Sequence, residues 1–158
     1  MLPFLDLLNS PSMTICTSTS QAVPHAAMVY FVADDRLNLY FLSAPSSQHV
    51  QDLAANPLAA ITIDPLAEGS LRVEGWQEIH GLQMRGRVTE VPNGFQSVTD
   101  WVRYVAKFPY VKNLAIEVLK NRFYAFKPDW IRLVDNRVRF GYKQEWSGDE
   151  LLRLCEGR

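Results

Sequence analysis

The sequence is poor in cysteine and has no large excess of either charge. Its 158 residues include two cysteines, Cys16 and Cys155, which form no CxxC pair. This spacing supports neither a disulfide framework nor a zinc knuckle, so we expect free thiols. Sixteen basic and seventeen acidic side chains nearly cancel. A protein that binds nucleic acid or an anionic membrane surface needs a basic excess, so neither is expected as a partner.

The chain also lacks a long apolar run and a basic N-terminal segment. No apolar stretch reaches the roughly 18 residues that a membrane helix requires, and the first basic residue is Arg36. We therefore expect no membrane span and no secretory signal, and we expect a cytoplasmic protein. A hydrophobic content of 47% in a chain of this length is typical of one globular domain. We assign residues 1–158 to that domain, with an N-terminal arm at 1–12 and a C-terminal tail at 147–158.

Short apolar segments separated by turn residues predict a mostly β protein. Strands are predicted at Met13–Ser18, Ala26–Val32, Leu37–Leu42, Leu58–Ile63, Ile79–Val91, Phe123–Val134 and Val138–Tyr142. Leu58–Ile63 contains almost no polar residue, so both of its faces are expected to be buried. Because most neighbouring strands are joined by short turns, we expect an antiparallel sheet that curls into a small barrel with helices outside it.

The helices are predicted from apolar periodicity and from turn residues at their ends. They are expected at Ser47–Ala55, Phe95–Lys107, Val111–Leu119 and Asp149–Leu154. The second of them is predicted to bury one face, made of Phe95, Val98, Val102 and Val105. Leu71–Glu74 can also form a short strand.

The usual catalytic motifs are absent. The chain has no glycine-rich dinucleotide or nucleoside-triphosphate loop, no nucleophile elbow and no HExxH. His25, His49 and His80 are scattered along the chain, and a catalytic zinc normally needs three protein ligands, so a metal site is not expected. Redox chemistry in this chain therefore requires a bound cofactor.

One polar segment lies where an apolar strand ends and a helix begins. Ser46, Ser47 and His49 occupy this position. A helix start carries unpaired N–H groups and a partial positive charge, so it attracts anions such as a phosphate. Serine is equally common there as an N-cap without any ligand. Both interpretations remain open at this stage.

Two further polar sets each have two interpretations. Gln83, Arg85 and Arg87 alternate with apolar residues along one strand, and they form either the wall of a cleft or a solvated strand face. Trp146 lies close to Lys143, and a flat aromatic beside a cation suits a planar anionic ligand or a surface or dimer contact.

Six segments in a fixed order carry a family resemblance. They are Pro24–Phe31, Asp35–Ser43, Ser46–His49, Asn56–Ile63, Gly81–Arg87 and Asp129–Leu133 with Phe140–Gly141. Together, over about residues 13–146, they resemble the FMN-binding split-barrel family that contains pyridoxamine 5′-phosphate oxidase. The Arg-Leu-His-x-Arg pattern of the true oxidases is absent, so vitamin B6 synthesis is not predicted.

The resemblance implies a mostly β fold, a six-stranded antiparallel split barrel of the FMN-binding type with peripheral helices. It also implies a homodimer that holds FMN at its interface. The implied cofactor contacts are His25, Ala26, Ala27, Met28, Ser43, Ser46, Ser47, Gln48, His49, Gln83, Arg85, Lys143 and Trp146. Family members often carry Arg or Lys where this chain has Gln48 and His49, so a weaker hold on the phosphate is expected. Arg85 or Arg87 can compensate.

The resemblance favours an FMN-dependent oxidoreductase of unknown substrate. Two other functions stay open. One is a haem-binding split barrel with His25, His49 or His80 as the axial ligand. The other is a cofactor-free barrel that acts as a binding or stress-response module.

Overall fold

The computed structural model describes residues 3–65, 75–92, 98–113 and 120–156, except the side chains of residues 98, 155 and 156. Its strands are β1 (Ser12–Ser18), β2 (Pro24–Ala33), β3 (Leu39–Ser43), β4 (Leu58–Ile63), β5 (His80–Glu90), β6 (Arg122–Asp135) and β7 (Lys143–Ser147). Its α-helices are α1 (Gln48–Ala55), α2 (Val98–Lys107) and α3 (Gly148–Glu156). Short 3₁₀ helices lie at Leu7–Asn9, Trp76–Glu78 and Pro109–Asn113.

The strands close into a barrel. The sheet order is β3-β2-β1-β4-β5-β6-β7, and β3 also pairs with β6, so six strands form the ring and β7 extends it beyond β6. Every pairing is antiparallel; in the closing pair, Phe41 lies opposite Tyr124. The predicted six-stranded antiparallel barrel is therefore confirmed.

The barrel interior holds the main hydrophobic core. Side chains alternate between the two faces of each strand, which places every second residue inside. Phe31, Phe41 and Phe126 are fully buried there, and each large apolar side chain stabilises the fold by roughly 1.5–3 kcal/mol through burial. Phe4 and Leu7 of the N-terminal arm join the same core. The Lys107 ammonium of α2 holds this arm by donating to the carbonyl oxygens of Leu8 (3.2 Å) and Ser10 (2.7 Å).

Three sequence expectations are wrong in detail. Val138–Tyr142 is a turn, because the Asn136 side chain accepts from the Gly141 N–H and Gly141 adopts a positive φ of 71°. The last strand begins only at Lys143. The strand β4 is buried on one face, and Leu58 on its other face is 52% exposed.

The third error concerns α2. Val102 is 56% exposed, whereas Tyr104, Val105 and Phe108 are buried. Tyr104 and Phe108 pack with Val32 and Phe123 in a second apolar cluster. The aromatic residues therefore set the buried face of this helix. The predictions for Leu71–Glu74, Phe95, the side chain of Val98 and residues 114–119 lie outside the described residues.

Among the described helices, none has the length and apolar character needed to cross a membrane.

Candidate cofactor site

The start of α1 brings three of the implied cofactor contacts together. Ser43 ends β3, and its hydroxyl lies 2.8 Å from His49 Nε2. The Ser47 hydroxyl lies 3.4 Å from the same nitrogen and donates to the Ala44 carbonyl at 2.7 Å. We call Ser43, Ser47 and His49 the helix-start cluster.

Ser47 occupies the N-cap position, but its side chain does not cap the helix. Its backbone is extended (φ −70°, ψ 146°), as expected for an N-cap residue. The hydroxyl points back to Ala44 and accepts no hydrogen bond from a helical N–H. The first N–H groups of α1, those of Gln48 and His49, consequently keep the free donor capacity that a helix start offers to an anion. Ser46 is exposed beside them.

The helix-start cluster supplies donors without supplying charge. Burial lowers the pKa of His49, and the nearby Asp52 carboxylate opposes that shift only in part. The imidazole is therefore neutral at neutral pH. Among the described residues, no Lys or Arg side chain makes a hydrogen bond to the cluster.

A buried carboxylate lies one helical turn further along α1. Asp52 is 2% exposed and accepts from the Thr17 hydroxyl (2.8 Å), the Gln48 side-chain amide (2.9 Å) and His25 Nδ1 (2.8 Å). Burial by itself would raise the pKa of Asp52, but the hydrogen bonds from Gln48, Thr17 and His25 outweigh it and the pKa is lowered. Asp52 is thus an anchored anion. Sequence reasoning missed it, although its spacing of four residues from Gln48 was a usable local signal.

This carboxylate fixes the orientation of His25. A carboxylate that accepts from Nδ1–H leaves Nε2 as the unprotonated nitrogen of the neutral ring. The His25 side chain is 37% exposed, so this nitrogen is accessible from outside the barrel. Next along β2, Ala26 and Met28 are exposed on the outer face, whereas Ala27 packs against the core.

A flat strip of small side chains crosses the outer face of the barrel. In the strand register, Cys16 lies between Ala26 and Ala60, and Thr14 lies beside Thr62 in the neighbouring row. We call these five residues the outer shelf. The shelf ends at β5, where Arg85 pairs with Ala60 and Gln83 pairs with Thr62. From β2 to β5 it spans three strand spacings, about 14 Å.

Charged side chains gather at the β5 end of the shelf. The guanidinium of Arg85 lies 4.5 Å from the centre of the Trp130 ring, and that of Arg132 lies 4.8 Å from it. Glu145 on β7 accepts from Trp130 Nε1 (3.1 Å) and Arg132 Nε (2.8 Å), and Arg132 also donates to the Gln83 side chain (3.3 Å). We call Gln83, Arg85, Trp130, Arg132 and Glu145 the outer charge cluster. Hydrogen bonds from Arg132 and then from Trp130 lower the pKa of Glu145.

The last two predicted contacts lie apart from both clusters. Trp146 packs edge-on against Phe4 of the core, with ring centres 5.3 Å apart. Lys143 is exposed at the start of β7, where it pairs with Val134. Because adjacent residues of a strand point to opposite faces, Trp146 faces inward where Glu145 faces outward.

The sequence is similar to one protein family and to relatives within known bacteria. The sequence matches the family model described as pyridoxamine 5′-phosphate oxidase over residues 4–135. A UPF0306 protein of Photorhabdus laumondii is 28% identical over 135 residues, which cover 85% of this chain and 86% of that protein.

Solved structures share the fold at low sequence identity. A haem binding protein from Mycobacterium smegmatis aligns with a TM-score of 0.71 at 14% identity, over 96% of this chain and 61% of that one. HutZ, the haem storage protein of Vibrio cholerae, aligns with a TM-score of 0.63 at 13% identity, over 78% of this chain and 84% of that one. At these identities the likeness shows the fold alone.

Proposed function

This chain belongs to the pyridoxamine 5′-phosphate oxidase family, and we propose that it is an FMN-binding flavoprotein that acts as an oxidoreductase on a small substrate. One observation carries the proposal: a donor-rich helix start and a shelf of small side chains both lie at the start of β2. Gln48 and His25 each donate to Asp52, which ties α1 to β2, and the next residue, Ala26, points to the opposite, outer face where the shelf begins. A flat ring system with a phosphate on a short chain has this shape.

The helix-start cluster suits the phosphate of FMN. The free N–H groups at Gln48 and His49 are donors to phosphate oxygens, and the hydroxyls of Ser43 and Ser47 can join them when they release their present partners, His49 Nε2 and the Ala44 carbonyl. A neutral donor contributes about half as much as a charged one, so these residues hold the phosphate less tightly than an arginine does. Arg85 does not replace that arginine in our assignment, because it lies at the opposite end of the shelf.

The outer shelf suits the ring. Ala26, Cys16 and Ala60 present no long side chain that would hold a planar group away from the sheet. Gln83 at the far end offers an amide that can donate to or accept from the edge of the ring. When bound, FMN supplies the transfer of hydride or single electrons. The protein residues bind and orient it, and we assign no side chain as a general base.

We also propose that the protein is a homodimer that covers the shelf. Three large apolar side chains are exposed on the same outer face: Met28 (76%), Tyr30 (51%) and Leu58 (52%). A second copy packed on this face would bury them and enclose the flavin. In a two-fold symmetric dimer, the same surface of each copy forms the interface. The mass in solution tests this part. We expect a dimer, and we expect Met28→Glu to shift the equilibrium towards monomer; a monomeric wild-type protein contradicts it.

Reconstitution tests the cofactor assignment. The full chain is incubated with FMN, freed of unbound flavin by gel filtration, and examined by visible absorption. We expect the two-band spectrum of a bound flavin. The surface variant Gln51→Ala, on the exposed side of α1, is the control and retains the bands. Absence of both bands after incubation with excess FMN contradicts the proposal.

Haem is the second candidate, and a specific contact favours it. The Asp52 carboxylate bonds to His25 Nδ1 in the way that carboxylates orient metal-bound histidines, which leaves His25 Nε2 free for iron. Two structural neighbours are haem proteins by name. If haem is the cofactor, added haemin gives a Soret band that His25→Ala abolishes and that His80→Ala retains. A band that survives His25→Ala rules out this ligand.

A further inference from the structure

The outer face carries a groove with one charge of each sign on its walls. The groove has a volume of about 530 Å³ and overlaps the β1–β4–β5 part of the outer shelf. Arg85 lines it from β5 and Asp129 lines it from β6. Uncharged side chains form the rest of the lining, among them Cys16, Ser18, Asn56 and the large apolar Leu58.

A β-bulge places Asp129 at the groove. Arg85 pairs with Trp130 and Gly86 pairs with Pro128, so Asp129 is the extra residue that the ladder leaves out. Glycine is required opposite it, since a Cβ at Gly86 would lie 2.1 Å from the Lys127 carbonyl oxygen. Bulges of this kind redirect a side chain and recur beside functional sites. Asp129 is exposed and makes no ion pair with any described residue, including its neighbour Lys127.

Arg85 is held in place without being neutralised. Its guanidinium rests on the face of Trp130, and the indole N–H of Trp130 is fixed by Glu145. Glu145 already forms the ion pair with Arg132 at 2.7 Å. In the described part of the chain, Arg85 forms no ion pair of its own. Arg85 also attracts the Glu145 carboxylate, but a pre-oriented arginine with no ion pair of its own can recognise planar carboxylate or phosphate groups.

The neutral wall of the groove leaves both charges available. The Asn56 amide donates to the Ser18 hydroxyl at 3.0 Å, and its oxygen accepts from the Leu58 N–H at 3.2 Å. These groups satisfy one another, so ligand selection depends on Arg85 and Asp129. Arg85 pairs with Trp130, the residue next to Asp129, and paired Cα atoms of an antiparallel ladder are roughly 5 Å apart, so the two charged residues are neighbours across the ladder.

We propose that this groove binds a small zwitterion, with the ammonium group on Asp129 and the carboxylate or phosphate group on Arg85. The proposal goes beyond the flavin assignment and does not depend on it. The groove shares Cys16 and Ala60 with the shelf assigned to the flavin ring, so we expect the zwitterion and the flavin to compete for this face.

Calorimetric titration of the flavin-free protein with defined probes tests the proposal. The zwitterions are glycine, β-alanine, γ-aminobutyrate and aminopropyl phosphate. The single-charge probes are butyrate and butylamine. We expect at least one zwitterion to bind at least about tenfold more tightly than either single-charge probe, because each charged hydrogen bond adds to the affinity. The comparison of γ-aminobutyrate with aminopropyl phosphate identifies the anionic group. If no zwitterion exceeds both single-charge probes, the proposal is wrong.

Two neutral variants assign the ends of the ligand. Asp129→Asn should reduce zwitterion affinity to about that of butyrate, and Arg85→Gln should reduce it to about that of butylamine. Arg87→Gln is the matched control, since Arg87 is exposed on the same strand but does not line the groove. Circular dichroism shows whether each variant keeps the fold. Equal affinities for Asp129→Asn and Arg87→Gln overturn the assignment. Because the titration contains no FMN, a failure to bind flavin leaves this result unaffected.

Discussion

The helix-start cluster and the outer charge cluster differ in how they can bind an anion. The first brings hydroxyls, an imidazole and backbone N–H groups together without a charge, and its imidazole is kept neutral by burial. The second gathers two arginines and a glutamate around Trp130 on an exposed face. The neutral hydrogen-bond donors and the positively charged side chains therefore lie in different places, with the outer shelf between them. A phosphate at the helix start is selected by the direction of donors, and an anion at Arg85 is selected by charge.

The two regions also differ in the burial of their carboxylates. Asp52 and Glu145 each accept several hydrogen bonds, and both have lowered pKa values. The Asp52 side chain is 2% exposed, whereas that of Glu145 is 47% exposed. Water can replace the partners of Glu145 when a contact is lost, but it cannot reach the buried Thr17 hydroxyl that bonds to Asp52.

The largest expected effect is the loss of the buried carboxylate. Asp52→Ala removes the acceptor of three side chains. Leaving the buried Thr17 hydroxyl without a partner by itself lowers the free energy of unfolding by about 1–3 kcal/mol. Thermal unfolding should show a large decrease in Tm. Glu145→Ala is the matched variant and should change the Tm only slightly. Equal decreases for the two variants would show that burial does not distinguish them.

The second-largest expected loss of stability is at Gly86, opposite the β-bulge. Gly86→Ala places a methyl group 2.1 Å from a backbone oxygen that cannot swing away. Overpacking of this kind costs about 1–3 kcal/mol. Chemical denaturation measures this loss of stability. Gly141→Ala is the comparison: nothing lies within 4 Å of the added methyl group there, so it reports the strain of a positive φ without a clash. A loss at Gly86 no larger than at Gly141 contradicts the close approach.

The pH dependence of stability should separate the two regions. The pKa of His49 is lowered below 6.5 in the folded protein, so the unfolded chain binds the proton first as the pH falls. The free energy of unfolding should therefore decrease as the pH falls from 6.5 towards the folded pKa. His49→Gln should remove that part of the slope. Glu145 stays ionised in this window, since its pKa is lowered from 4.5. A slope that persists in His49→Gln contradicts the assignment.

The smallest expected effect is the response of the outer charge cluster to salt. The Arg132–Glu145 pair is largely exposed, and such pairs weaken as added salt shortens the Debye length from about 10 Å at 0.1 M to about 3 Å at 1 M. Arg132→Gln should lower the Tm slightly at low ionic strength and not measurably at high ionic strength. Ser43→Ala in the neutral cluster should give a Tm change that salt does not alter. A salt-independent effect of Arg132→Gln would show that packing on Trp130 dominates.

The sequence predicted the features that depend on local order. Alternation along β5 placed Gln83 and Arg85 on one outer face, and the strand-to-helix junction brought Ser47 and His49 together. The partners of Asp52 escaped prediction, because Thr17 and His25 are 35 and 27 residues away from it. The outer charge cluster depends on the register of three strands, and Arg132 meets Gln83 from 49 residues away. Side-chain contacts in the turn after Asp135 likewise outweighed the alternating pattern of Val138–Tyr142.

The phosphate preference tests the central claim most directly. FMN and riboflavin differ only by the phosphate, so the ratio of their dissociation constants isolates its contribution. We predict that the wild-type protein binds FMN about tenfold more tightly than riboflavin, the effect of a few neutral hydrogen bonds. The preference should decrease in Ser47→Ala with His49→Ala, which keeps only the backbone N–H donors, and should be unchanged in Arg85→Gln. A preference that the double substitution leaves unchanged and that is lost with Arg85 would show that charge, and not the helix start, holds the phosphate.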